Sequence, residues 1–360
     1  MNNMIIGLGN TGNQIVQAIA RKSTLSDVKL YAIDSNTNGI DIDNASRIKF
    51  IPIIADSRAG SGRNRERGNA LYKYHEDNHT FDEMYKTAST ADEPVIVITS
   101  AAGGTGSGSC PALCDALIKK DIRVIPIIIC PNINDPDAYH LNTNDLMLEL
   151  NEIGVETYAI FRNADGDADY TPVNNEVVSL IEIILGKKYD DTNLDSIDPS
   201  DLDVVLNTPG RIVAISAEAS DVESLKKELT RKLLSGFQPC WTQEEANNNT
   251  FLTAYSLTSM FADTDFKKVF SEVQDRIVHK YDEYKNICKN DNNGVASATL
   301  IVAGLPRAEM KDVDADFKGA NTIGSNMKHS KRPDFLKKKK ASVINNSEDG
   351  KPASSKFLWK

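Results

Sequence analysis

The sequence has no long hydrophobic run, which argues against a helical membrane protein. No stretch of 18 or more apolar residues occurs in the 360 residues, and the N-terminus carries no charged segment followed by an apolar one. We therefore expect no membrane association and no secretion, but a protein of the cytoplasm. Hydrophobic residues make up 40% of the chain, enough for a large core, and the length suggests two domains.

Cysteine and histidine are too few and too scattered for a disulfide framework or a zinc site. The five cysteines are an odd number, and Cys110 and Cys114 share a predicted helical face without a second pair. His75 and His79 are also four residues apart, but no set of acidic residues accompanies them, so a solvated helix face is the better interpretation. We expect reduced core cysteines and no metal site built from these side chains.

A Walker A lysine is also missing, although one loop has the glycine content of a phosphate-binding segment. This 103–108 loop contains Gly103, Gly104, Gly106 and Gly108 and lies between a predicted strand and a predicted helix. Glycine allows positive φ and lets an anion approach main-chain N–H groups, and the helix N-terminus adds further donors. Hydroxyls of Thr105, Ser107 and Ser109 could supplement them. The alternative interpretation is a tight turn that binds nothing.

A second glycine pattern lies near the N-terminus. Gly7, Gly9 and Gly12 form a G-x-G-x-x-G motif, the 7–12 loop, and Asp34 ends the next predicted strand. Alone, this pattern is typical of dinucleotide binding, which makes an NAD-dependent oxidoreductase an alternative. Two separate glycine loops better suit a nucleotide whose phosphate chain is held from two sides.

Strand-like and helix-like segments alternate along the chain. The first half contains predicted strands at 4–6, 28–33, 48–54, 95–99, 124–130 and 157–161, with helices at 13–21 and 111–119. This alternation predicts an α/β fold with a doubly wound, mostly parallel sheet. Further on, predicted strands at 210–216, 252–260 and 298–302 and helices at 220–234 and 265–285 indicate a smaller α+β domain.

These patterns predict four parts. The nucleotide-binding domain covers residues 1–172, a strongly apolar central helix covers 173–190, and the smaller domain covers 191–306. Residues 307–360 are polar and rich in lysine, so we expect a disordered tail.

The glycine loops carry a resemblance to a known superfamily. Residues 102–108 match the signature loop of the tubulin/FtsZ superfamily, and residues 9–15 resemble the first phosphate loop of the tubulins. The order of elements is similar over about residues 1–306, and the length and lysine-rich tail are most similar to the TubZ group. The resemblance implies a filament-forming GTPase that binds GTP and GDP with Mg²⁺ and segregates plasmid or phage DNA.

The same resemblance implies which residues hold the phosphates. Contacts to the α- and β-phosphates and the metal fall to Gly9, Asn10, Thr11 and Gln14. Contacts to the β- and γ-phosphates fall to Gly103, Gly104, Thr105, Gly106 and Ser107. Residues 58–64 lie where the family has a γ-phosphate sensor, and a mobile surface loop is an equal alternative.

For the base, the resemblance implies two asparagines. Asn163 follows a predicted strand and Asn175 lies at the start of the central helix. An amide offers both a donor and an acceptor, which suits the guanine edge. Tyr170 could stack on the base, and simple helix capping is the alternative role for Asn175.

The resemblance further implies that a neighbouring subunit supplies the catalytic carboxylates. Two alignments of residues 193–201 fit the family. One selects Asp198 and Asp201, and the other selects Asn193, Asp195 and Asp198. We favour the first, because Asp198 and Pro199 read as the N-cap and first position of a helix. Capping alone would leave the other carboxylates unexplained.

The tail is the predicted partner-binding segment. Residues 328–360 carry ten basic and three acidic side chains, a charge of +7 that leaves about −17 for the rest of the chain. We expect it to bind a DNA-bound adaptor of the TubR kind in the cytoplasm of a bacterial host, with DNA contacted indirectly. Alternatives are a phage-positioning or division-type tubulin and a filament protein that does not hydrolyse nucleotide.

Overall fold

The computed structural model describes residues 2–36, 46–54, 60–132, 134–163, 169–186, 199–235, 237–238, 251–258, 281–288 and 296–305. The strands within these ranges are β1 (Asn3–Leu8), β2 (Lys29–Asp34), β3 (Ile48–Pro52), β4 (Asp92–Ser100), β5 (Val124–Cys130), β6 (Thr157–Arg162), β7 (Gly210–Ala219), β8 (Phe251–Thr258), β9 (Tyr281–Cys288) and β10 (Ala296–Leu305). The helices are α1 (Gly9–Ala20), α2 (Arg65–Asp77), α3 (Asp82–Ala88), α4 (Thr105–Ile118), α5 (Asp137–Glu152), α6 (Thr171–Ile184), α7 (Pro199–Leu206) and α8 (Val222–Ser235).

All ten strands join one sheet in the order β3-β2-β1-β4-β5-β6-β7-β10-β8-β9. Neighbouring strands are parallel from β3 to β7, β10 is antiparallel to both β7 and β8, and β9 is parallel to β8. Strands such as β5 are buried along their whole length, as expected for a parallel sheet covered on both faces. The predicted α/β fold with a mostly parallel sheet is confirmed.

Two hydrophobic layers cover the two faces of the sheet. One layer contains Ile15 of α1 and Val177 of α6, together with side chains of α7. The other contains Leu113 of α4 and Leu146 of α5, together with side chains of α2 and α3. Successive residues of a strand point to opposite faces, so Ile5 packs in the first layer and Met4 and Ile6 in the second.

The structure corrects several local predictions. Residues 281–285 belong to β9 rather than to a helix, because the whole strand pairs in parallel with β8 over eight residues and its first half includes β-favouring tyrosines. Residues 265–280 of that predicted helix lie outside the described ranges. Helices α2, α3 and α5 were not predicted. None of the helices in the described ranges is long and apolar enough to cross a membrane.

Candidate functional site

The two predicted glycine loops meet at the carboxyl ends of β1 and β4. These strands are parallel neighbours, and Leu8 at the end of one pairs with Thr99 near the end of the other. Gly9 opens α1 with φ +68°, and a Cβ atom there would lie 3.1 Å from the main-chain nitrogen of Gly106. The 7–12 loop and the 103–108 loop therefore form one continuous surface.

Glycine has different roles in the two loops. Gly9 needs its positive φ, whereas none of the four glycines of the 103–108 loop adopts one, which corrects our expectation for that loop. A Cβ atom on Gly106 would lie 2.7 Å from the carbonyl oxygen of Leu8, and one on Gly104 would lie 2.7 Å from the main chain of Arg63. Three of the four glycines thus allow close main-chain packing, since Gly108 is equally tight against α2.

Gly103 is the open position in this loop. A Cβ atom on it would have no neighbour closer than 3.9 Å, and no carbonyl in the described ranges accepts its N–H. An unpaired donor beside open space suits an anionic ligand.

The first turns of α1 and α4 present further donors. Neither helix has an acidic residue in its first turn, and neither N-cap side chain makes a capping hydrogen bond. By contrast, α2 has both a capping asparagine and a first-turn glutamate. Two neighbouring helix N-termini with uncapped N–H groups and positive dipole ends fit a phosphate chain.

Polar side chains of α1 are accessible beside these donors. Asn10 and Gln14 are exposed and Thr11 is half-buried, and all three lie within the first two turns. Their spacing places them on one side of the helix. The predicted contacts to phosphate or metal are therefore open to a ligand.

The hydroxyls of the 103–108 loop are divided between two roles. Thr105 Oγ1 lies 2.6 Å from Ser35 Oγ and donates to Ser61 Oγ at 3.0 Å, which joins the end of β2, the start of α4 and the loop before α2. Ser107 donates to the carbonyl of Gly103, and Ser109 donates to the carbonyl of Thr105 at 2.6 Å. These last two hydroxyls stabilise the first turn of α4.

The 60–64 loop packs directly against the 103–108 loop. Gly60, Gly62 and Arg63 all have positive φ, and the N–H of Gly60 donates to the carbonyl of Ser35 at 2.9 Å. Ser61 is buried against Thr105. The described part of the predicted γ-phosphate sensor is thus fixed to the phosphate-binding surface, while Arg58 and Ala59 lie outside the described ranges.

The candidate base-contacting residues lie at the end of β6 and at the start of α6. Asn163 directly follows β6 and is half-buried, and its N–H donates to the carbonyl of Cys130 at 3.2 Å. Tyr170 immediately precedes α6 and is 45% exposed. Helices α1 and α6 are in contact.

Asn175 is exposed and does not cap α6, which begins four residues earlier. The N–H of Thr171 donates instead to Asp169 Oδ1 at 2.9 Å. The side-chain hydrogen bond from Thr171, together with this main-chain bond, lowers the pKa of the Asp169 carboxyl. Sequence reasoning missed the neighbouring residue, Asn174. It is half-buried, and its Oδ1 atom is buried without a hydrogen-bond partner in the described ranges. Its position one turn after Tyr170 was the available signal.

Helix α7 begins at Pro199, as predicted, and Asp201 is its third residue. The other predicted loop residues (Asn193, Asp195, Ser196 and Asp198) lie outside the described ranges. The choice between the two alignments of this acidic loop stays a prediction.

The two histidines singled out in the sequence do not share a helical face, because α2 ends at Asp77. His75 lies 3.2 Å from both Thr80 Oγ1 and the carbonyl oxygen of Ile54, and His79 has φ +60° and pairs with Asp82. No group of three or more metal-binding side chains occurs within the described ranges.

Comparison with known proteins finds a family match in the first half of the chain. Residues 2–165 match the Tubulin/FtsZ family, GTPase domain. The chain is 22% identical over 246 residues to the tubulin-like protein CetZ of Methanothrix thermoacetophila, a match that covers 62% of this chain and 66% of that relative.

Solved structures show the same fold over most of the chain. The GTPγS-bound protofilament of CetZ2 from Haloferax volcanii superimposes with a TM-score of 0.68 at 16% identity, covering 89% of this chain and 97% of the other. A GTPγS-form protofilament of Bacillus thuringiensis serovar israelensis TubZ gives 0.64 at 18% identity, with 88% and 90% covered. The tubulin/FtsZ-like fold is confirmed, and the comparisons do not single out the TubZ group.

The family match also decides against the dinucleotide interpretation of the 7–12 loop. Asp34, the acid expected to contact a ribose in that alternative, is 4% exposed and accepts the N–H of Asn36 at 3.3 Å. Burial raises the pKa of its carboxyl. The 7–12 loop lies within the residues that match a GTPase domain, which argues against an NAD-dependent oxidoreductase.

Proposed function

We propose that the whole chain is a self-assembling GTPase, in which residues 2–165, which match the GTPase domain of the tubulin/FtsZ family, hydrolyse GTP to GDP. Head-to-tail polymerisation would complete its active site, and its filaments would segregate plasmid or phage DNA through a DNA-bound adaptor. The observation that carries the proposal is the convergence of the α1 and α4 N-termini at Gly9 and Gly106, with no acidic residue in either first turn.

Different residues at this surface would bind different phosphates of the nucleotide. The N-terminus of α1, with Asn10, Thr11 and Gln14, would hold the α- and β-phosphates and Mg²⁺. The N–H groups of Gly103 and of the first turn of α4 would hold the γ-phosphate, with Thr105 beside them. Bound Mg²⁺ supplies neutralisation of phosphate charge, which together with positioning is most of what catalysis of phosphoryl transfer requires.

For the base, we assign Asn174 in place of Asn175 as the partner of Asn163. The buried and unpartnered Oδ1 atom of Asn174 needs a donor, and the N1–H and amino groups of guanine are donors. Adenine offers a donor and an acceptor in different places, so the assignment also supports preference for GTP over ATP. Tyr170, partly exposed at the start of α6, would stack on the base.

Hydrolysis would depend on a second copy of the chain. Asp198 and Asp201 would enter the site of the neighbouring subunit and orient the attacking water. A head-to-tail contact of this kind is heterologous and does not close, so it produces filaments. The CetZ2 and TubZ structures named above are protofilaments, which supports this assembly.

The basic tail would recruit the partner. Direct binding of DNA by a few lysines would be non-specific and strongly salt-dependent, and the acidic remainder of the chain would repel DNA. An acidic surface on a DNA-bound adaptor of the TubR kind suits the tail better. Truncation after residue 327 should leave GTP-dependent filaments intact but abolish co-pelleting of the adaptor–DNA complex.

Phosphate release measured together with light scattering, at increasing protein concentrations and with GTP or ATP, tests the central proposal. We expect specific GTPase activity to rise steeply above a critical concentration. Asp201→Ala should still bind GTP and assemble but release phosphate roughly 100-fold more slowly, since a positioned acid or base contributes at least that much. Asp203→Ala, on an exposed residue of the same helix, is the matched control. Constant specific activity on dilution would show that one subunit holds the complete site.

A further inference from the structure

One amide side chain connects two loops of the phosphate-binding surface. Nδ2 of Asn142, in the second turn of α5, donates to the carbonyl of Arg63 at 3.2 Å and to the carbonyl of Ala102 at 3.0 Å. The first acceptor belongs to the 60–64 loop, and the second directly precedes the 103–108 loop. Both donor hydrogens of a single amide group are thus used to fix the distance between these loops.

The bond to Ala102 also fixes the direction of a main-chain donor. The peptide group is planar and trans, so the N–H of Gly103 points opposite to the carbonyl of Ala102. Asn142 therefore turns this N–H away from α5. It is the same N–H that has no carbonyl acceptor in the described ranges and lies beside open space.

The other acceptor lies in backbone that needs external support. Arg63 has φ +63°, which is unfavourable for a residue with a side chain. Its guanidinium carbon lies 4.8 Å from the centre of the Tyr139 ring, so α5 holds this residue by both its main chain and its side chain. The 60–64 loop is thereby stabilised in a conformation that its sequence alone disfavours.

A second connection from α5 holds the start of α4. The guanidinium of Arg65 donates to both carboxylate oxygens of Glu149 at 2.9 and 3.2 Å and to the carbonyl of Ser107 at 2.9 Å. The Arg65 side chain is only 9% exposed, while that of Glu149 is 44% exposed. Hydrogen bonds between charged groups in this paired geometry are stronger than neutral ones, so Arg65 connects α5 firmly to the start of α4.

We propose that Asn142 is a positioning residue that aims the Gly103 N–H at the terminal phosphate and so sets the preference for GTP over GDP. The inference rests on the proposed function, because it requires the γ-phosphate to lie between the two loops. Asn142 acts through the two carbonyls to which it donates, those of Arg63 and Ala102.

Two substitutions separate hydrogen bonding from packing. Asn142→Asp keeps the shape of the side chain but places a carboxylate against two carbonyl oxygens, and Asn142→Ala removes the contacts without repulsion. Loss of two ordinary hydrogen bonds corresponds to roughly a tenfold change in affinity. We expect Asn142→Ala to weaken binding of GTPγS about tenfold and Asn142→Asp to weaken it further, while the Kd for GDP changes less than about twofold. Asn151→Asp, the same substitution nine residues along α5, is the control.

Amide hydrogen exchange of the nucleotide-free protein gives a readout that does not depend on the proposed function. Exchange in residues 60–64 and 101–104 should accelerate in both Asn142 variants and not in Asn151→Asp. An unchanged ratio of GTPγS to GDP affinity in Asn142→Asp, or unchanged exchange in both loops, would overturn the inference. If the unmutated chain bound neither nucleotide, the proposed function would fall, and the exchange result would still decide whether Asn142 holds the loops.

Discussion

The phosphate end of the candidate site is formed mainly by main-chain atoms, whereas the base end is formed by side chains. At the phosphate end, main-chain atoms meet directly, and Gly9, Gly104 and Gly106 allow the contact because each lacks a Cβ atom. At the base end, the candidates are the side chains of Asn163 and Asn174, set on the end of a strand and the second turn of a helix. The comparison teaches that substitutions at the phosphate end should damage the fold, whereas those at the base end should change specificity and leave stability nearly intact.

The largest effect should come from Gly106→Ala. The added methyl group would meet the Leu8 carbonyl oxygen at 2.7 Å and also the Thr99 hydroxyl, both in the rigid centre of the sheet. We expect a loss of about 3 kcal/mol in the free energy of unfolding, the upper end of ordinary overpacking. Urea denaturation measures it, and Gly103→Ala is the control, because a methyl group there meets nothing within 3.9 Å. Equal losses in the two variants would contradict the packing role of Gly106.

Gly9→Ala should have the next largest effect. Alanine at φ +68° costs roughly 1–2 kcal/mol, and the methyl group would also press on Gly106. We expect this variant to fold but to bind GDP and GTPγS equally weakly, because the 7–12 loop holds phosphates that both nucleotides share. Unfolding curves together with the two affinities check the prediction. A selective loss of GTPγS affinity would mean that this loop contacts the γ-phosphate instead.

Substitutions at the base end should change the preference for GTP over ATP. Asn174→Ala should reduce the preference for GTP over ATP about tenfold, the value of one or two hydrogen bonds to the base. Its melting temperature should stay close to that of the unmutated protein. Competition binding with the two nucleotides measures the preference, and Asn175→Ala is the neighbouring control. If Asn175→Ala loses the preference and Asn174→Ala keeps it, the earlier assignment of Asn175 is restored.

Among the substitutions at the phosphate end, the smallest effect on stability should come from Thr105→Val. This change keeps the side-chain shape but removes the hydroxyl that bonds to Ser35 and Ser61. We expect a loss of about 1 kcal/mol in the free energy of unfolding, together with slower phosphate release. Thr105→Ser, which keeps the hydroxyl, should restore both. Failure of serine to restore activity would show that the hydroxyl alone is not sufficient.

The same comparison explains how far the sequence could predict the site. Gly9 and Thr105 were predictable because a glycine cluster between a strand and a helix is a local pattern with one common purpose. Asn174 was not, because adjacent residues of a helix point about 100° apart, so burial and not sequence distinguishes it from Asn175. The role of Asn142 could not be predicted from the sequence, because it lies 40 residues from Ala102 and no motif surrounds it.

The elements of the fold also separate into those that the sequence predicts and those that it does not. Strand β5 was predicted at its observed bounds and the start of the central helix α6 within two residues, because apolar periodicity and burial agree there. Helix α6 ends at Ile184 and not at residue 190 as predicted. Helix α2 consists mostly of polar residues, so its sequence shows only a weak pattern of apolar residues at helical spacing. Strand β9 depends on pairing with β8, a contact between distant segments that local preference cannot report.

The meeting of two uncapped helix N-termini makes the nucleotide a component of the native state as well as a substrate. Like ends of the α1 and α4 dipoles lie side by side, and no acidic side chain in their first turns offsets them. An anionic ligand that binds only the folded chain raises its stability by about 2.7 kcal/mol when its concentration is 100 times its Kd. Newly made or nucleotide-depleted chains are then the most exposed to proteases, so the cellular supply of guanine nucleotide would govern not only assembly but also how long each subunit survives.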